Sequence, residues 1–67
     1  MSTFKDANQV RLMLKMKLSN YSWYKGCMVA PDSDGYLVVV SVKHLDNNVR
    51  KLISPVVNGI SVKTEAE

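Results

Sequence analysis

A lone cysteine, Cys27, in a chain of 67 residues rules out an internal disulfide and sets the terms for everything else. A domain of about 60 residues buries only roughly 60% of the surface that its unfolded chain exposes, so its stability margin is thin. Small domains often compensate with disulfides, a structural metal or a partner chain. A tetrahedral zinc site needs four ligands, and one Cys with one His does not supply them. What remains is tight packing or self-association. The length fits one small domain over residues 1–67, with 1–3 and 64–67 expected to fray.

Apolar residues make up 46% of the chain, enough for a core and too many for a disordered tail. No apolar run approaches the roughly 20 residues that cross a bilayer. Met1-Ser2-Thr3-Phe4-Lys5-Asp6 has no apolar signal-peptide core behind it. With an unpaired cysteine, this fits a reducing cytoplasm. No membrane, metal or cofactor is expected. The net charge of +3 is uneven. Residues 1–30 carry five basic side chains (Lys5, Arg11, Lys15, Lys17 and Lys25) against Asp6 alone, whereas residues 31–67 carry four basic against five acidic. Such a basic half suits either a solvated surface or an anionic partner.

Residues 4–18 carry two patterns. Val10, Leu12, Leu14, Met16 and Leu18 alternate with Arg11, Met13, Lys15 and Lys17, which is strand periodicity. Yet Leu, Met, Lys, Arg, Gln and Ala are helix formers, and only Val10 is β-branched. Thr3 suits an N-cap, Asp6 a first turn, and Ser19-Asn20 a stop. Helix is the expected form, with strand the competing one. As a helix it places Phe4, Ala7, Val10, Leu14 and Leu18 on one stripe, and Leu12, Met13 and Met16 away from it.

Further on, Tyr21 to Ala30 reads as a strand, Pro31-Asp32-Ser33-Asp34-Gly35 as a turn, and Tyr36 to Val42 as a second strand that closes a hairpin. Asp46 is a suitable cap for a short helix over Asn47 to Ile53, with Val49, Leu52 and Ile53 inward. Ser54-Pro55 ends that helix. Asn58-Gly59 makes a bend before a last strand, Ile60 to Lys63; the rival is a short hairpin over Val56 to Val62. The expected fold is α+β in the order α-β-β-α-β: a three-stranded mixed sheet, its last strand parallel to the second, with two helices on one face.

Gly35, the Val38–Val40 run, Pro55, Gly59 and Val62 punctuate the run 35–63. In that pattern it resembles a small ββαβ module found beside trypsin-like peptidase domains in some bacterial proteins. The resemblance implies the strand–helix–strand order only; a bacterial or phage-like setting is a separate expectation. The resemblance carries over no peptidase activity.

Candidate chemistry is sparse. His44 has no nucleophile and orienting partner beside it in sequence, and Asp46 serves more simply as a cap. Cys27 has Lys25 two residues away, but free cysteine is more often buried and inert. Asp32-Ser33-Asp34-Gly35 lacks the later ligands of a calcium loop. Tyr21, Trp23, Tyr24 and Lys25, with Arg11, Lys15 and Lys17, form a candidate platform for single-stranded nucleic acid. Leu12, Met13 and Met16 form a candidate partner surface, since Met-rich apolar patches suit adaptable contacts. The resulting expectation is a non-enzymatic interaction module, homodimeric or docked on a larger protein through the first helix. Nucleic-acid binding by the basic half is the alternative.

Overall fold

The computed structural model describes residues 3–66. The first element is a helix, α1 (Phe4–Leu18), as the composition of that stretch requires. Its entry is capped: the Asp6 backbone N–H donates to Thr3 Oγ1 at 3.2 Å. Its exit is closed by the Ser19 N–H donating to the Lys15 carbonyl. Ala7, Val10, Leu14 and Leu18 are buried. Phe4, expected on the same stripe, is 56% exposed and meets the Tyr36 ring edge to face, with centroids 5.6 Å apart.

Two antiparallel strands follow, β1 (Tyr24–Asp32) and β2 (Gly35–Val42). Residues 21–23, expected within the first strand, form a turn that carries the chain off the helix. The strand instead runs on through Pro31 and Asp32, leaving Ser33-Asp34 as a two-residue turn. Pro31 is tolerated because β1 is an edge strand. A short helix α2 (Asn47–Leu52) begins where Asp46 accepts the Val49 N–H at 2.9 Å.

The expected three strands are corrected to four. β3 (Val56–Val57) pairs antiparallel with β4 (Ile60–Ala66), and β4 lies parallel to β2, giving the order β1-β2-β4-β3. Asn58 and Gly59 at the hairpin tip have φ of 51° and 78°, the left-handed pair that an Asn-Gly turn supplies at low cost. The strand expected to end at Lys63 continues along β2, with Val40 opposite Thr64 and Val42 opposite Ala66. Residues 64–66 are therefore paired strand and not a frayed tail. Thr3 is likewise engaged as a cap, while positions 1, 2 and 67 lie outside the described residues.

One buried cluster joins the layers. Val38, Val40 and Val42 from β2 and Ile60 and Val62 from β4 meet Ala7, Val10, Leu14 and Leu18 of α1. Val49 of α2 and Ile53 just beyond it enter the same cluster. Leu52, expected inward with them, is only partly buried.

Candidate functional site

The residues left over once α1 has covered the sheet define its outer surface. At about 100° per residue, Ala7, Val10, Leu14 and Leu18 span an arc of roughly 80°. Leu12 and Met16 then point about 160° from the centre of that arc, and Met13 about 100° from it. Their exposures agree: 44% for Leu12, 51% for Met13 and 79% for Met16. Met13 is steadied from the side by Asn58, whose Nδ2 lies 3.8 Å from its Sδ. Spacing of three and four residues brings these side chains together as one apolar ridge. Lys5 lies on the same outer face by this geometry, and α1 as a whole carries four basic side chains against Asp6.

The candidate nucleic-acid residues divide. Arg11 and Lys15 fall on one flank of α1 and Lys17 on the other, with the buried stripe between them. Arg11 donates from Nε to Asn8 Oδ1 at 2.9 Å, and Lys15 and Lys17 lie in the last turn, where cations complement the helix dipole. Trp23 is half-buried and packs against the core cluster. One face of its ring is occupied by Tyr21, stacked with centroids 4.9 Å apart and planes 20° apart. Lys25 lies at the register break between Tyr24 and Gly26, so its spacing of two from Cys27 does not place the two on one face by strand alternation.

Cys27 is half-buried within a short relay. Tyr24 Oη donates to Cys27 Sγ at 3.2 Å, and Sγ donates to the Arg11 carbonyl at 3.3 Å. The relay ties the middle of α1 to β1. Burial first, then the hydrogen bond and charge of Cys27, push the Tyr24 phenol up to about 12 against the opposing effect of Arg11. His44 is exposed; its Nε2 lies 3.3 Å from Asp46 Oδ2, while Asp46 Oδ1 caps α2. Asp46 thus caps α2 with one oxygen and lies beside the His44 imidazole with the other. In the β1–β2 turn the Ser33 N–H donates to Asp32 Oδ1 at 2.8 Å, a local turn bond. That turn, Asp6 and the Asn58-Gly59 tip line an open cleft of about 650 Å³. Among the described residues no group of three or more His, Cys, Asp or Glu is placed to hold a metal ion. No helix among them is long and apolar enough to cross a membrane.

Sequence reasoning missed a second apolar surface. Val38, Val40 and Val42 face the core, so Leu37, Val39 and Ser41 face the other way, half-exposed. Register places Met28 beside Val39 and Ala30 beside Leu37 on that outer face, with Met28 57% exposed. The signal was present: Leu37 to Val40 is an unbroken apolar run, the pattern of a strand covered on both faces.

Searches against family models, curated proteins and solved structures return no match for this chain.

Proposed function

We propose that this chain is a non-enzymatic protein-interaction module that docks on a larger protein through the outer face of α1. The observation that carries this reading is the ridge of Leu12, Met13 and Met16, exposed on the side of the helix that faces away from its own core. Unbranched thioethers adapt to irregular surfaces at low cost, which suits a docking contact. The surplus of basic side chains on α1 favours a partner whose apolar groove has an acidic rim. The same surplus opposes pairing α1 with α1 of a second copy, since like charges would be brought together.

The test is affinity capture from the native cell with wild-type and Met16→Glu baits, their folds matched by circular dichroism. The reading expects a protein retained by wild type and lost with Met16→Glu, and weaker retention at high salt. Identical capture by both baits contradicts it. Capture of nucleic acid, steeply reduced by salt, would support the alternative use of the basic residues.

A further inference from the structure

We propose that Asn58 is a site of spontaneous modification, at which attack by the Gly59 backbone nitrogen converts the side-chain amide to a carboxylate. The inference is independent of docking on α1.

The chemistry is internal to the chain and needs only water. The Gly59 nitrogen attacks Asn58 Cγ, a C–N bond forms there, and the Cγ–Nδ2 bond breaks. Nδ2 leaves as ammonia and takes up the proton that the Gly59 nitrogen gives up. Water then opens the cyclic imide at either of its carbonyls. Opening at Cγ leaves an ordinary aspartate at position 58. Opening at the backbone carbonyl routes the main chain through the side chain, an isoaspartyl linkage. Nothing is oxidised or reduced.

The fold opens this route at one asparagine of five. Asn58 and Gly59 form the exposed tip of the β3–β4 hairpin. Gly59 has no Cβ to shield its nitrogen, and nothing lies within 4 Å of where one would stand. Asn8, Asn47 and Asn48 lie in helices, and Asn20 is followed by Tyr21. Ring closure at the first three distorts helical backbone, and at the fourth it has to pass a bulky neighbour. Asp34 also precedes a glycine, but its carboxyl isomerises by this route without a change of charge, so charge singles out Asn58.

Conversion acts on what Asn58 touches. The residue lines the cleft shared by Asp6, Asp32 and Asp34, so a new carboxylate joins charges of its own sign. The amide Nδ2 lies 3.8 Å from Met13 Sδ as a donor, and a carboxylate cannot donate. In the isoaspartyl product an extra main-chain carbon lengthens a two-residue turn that sets Val56 opposite Ser61 and Val57 opposite Ile60. The hairpin tip is therefore a slow, one-way charge switch beside the α1 ridge.

The test incubates the purified chain at mildly alkaline pH, folded and in urea. It is followed by ion-exchange chromatography, ammonia release and peptide mass mapping. The folded wild type should gain an acidic form, mapped to Asn58 as a mixture of aspartyl and isoaspartyl products. Over the same period Asn8, Asn20, Asn47 and Asn48 should stay intact. Gly59→Ala, and separately Asn58→Gln, should lose the conversion. In the acidic form the Met13 methyl resonance should shift. Absence of an acidic form from the folded wild type overturns the inference, as does conversion confined to urea or mapped to another asparagine. Conversion that persists unchanged in Gly59→Ala, or a Met13 signal that ignores it, overturns it too.

Discussion

At the scale of single residues, two side chains report on how α1 is fastened to the sheet. Tyr24 keeps its proton because its phenol is partly buried and donates to Cys27. Its pKa is raised from 10.0 to about 12, so the unfolded chain releases this proton first as pH rises. Any stability that the group contributes is therefore complete below pH 10 and is lost progressively towards pH 12. Ultraviolet titration should show a tyrosine ionising late, and Tyr24→Phe should abolish that late step. Leu18 is fully buried where α1 meets the core. Leu18→Ala should cost about 2–5 kcal/mol in urea unfolding, a large share of the stability of so small a domain. Neither the Tyr24–Cys27 bond nor the contact from Cys27 to the Arg11 carbonyl was legible in sequence, because both depend on how β1 is laid against α1.

At the scale of elements, local chemistry was readable wherever it acts within a few residues. Thr3 and Asp46 cap the two helices at the expected positions, and helix-forming composition overrode the alternating pattern of residues 10–18. What escaped was long-range pairing. Residues 64–66 have little intrinsic claim to be a strand, yet β2 offers a parallel edge and they take it. The hairpin at Asn58-Gly59 was visible as the rival to a simple bend, and only its short β3 arm argued against it. Gly59 has open space around it and a φ of +78°. Gly59→Ala should therefore destabilise through backbone strain of roughly 1–2 kcal/mol and not through collision, so that the midpoint of thermal unfolding falls while the β-sheet signal stays native-like. Of the candidate site, the ridge on α1 was legible because helical periodicity alone assigns Leu12 and Met16 to the outside. The outer sheet face was not, because strand register had to be known before Met28 could be set beside Val39.

At the scale of the whole molecule, a radius of gyration of 11.2 Å is close to the roughly 11 Å expected of a compact chain of this length. The chain folds compactly around one core and still leaves apolar side chains on both of its broad surfaces: Leu12, Met13 and Met16 above the helix layer, Met28, Leu37 and Val39 beneath the sheet. On the account proposed here a larger protein occupies the first of these, on α1. The most direct measurement is in-cell photo-crosslinking from a photoreactive side chain at position 16, with exposed Asn48 on α2 as the control position. The account predicts a discrete adduct with a different protein from position 16 and none from position 48. Equal labelling from both positions, or an adduct from position 16 that contains only nucleic acid or a second copy of the chain, would contradict it.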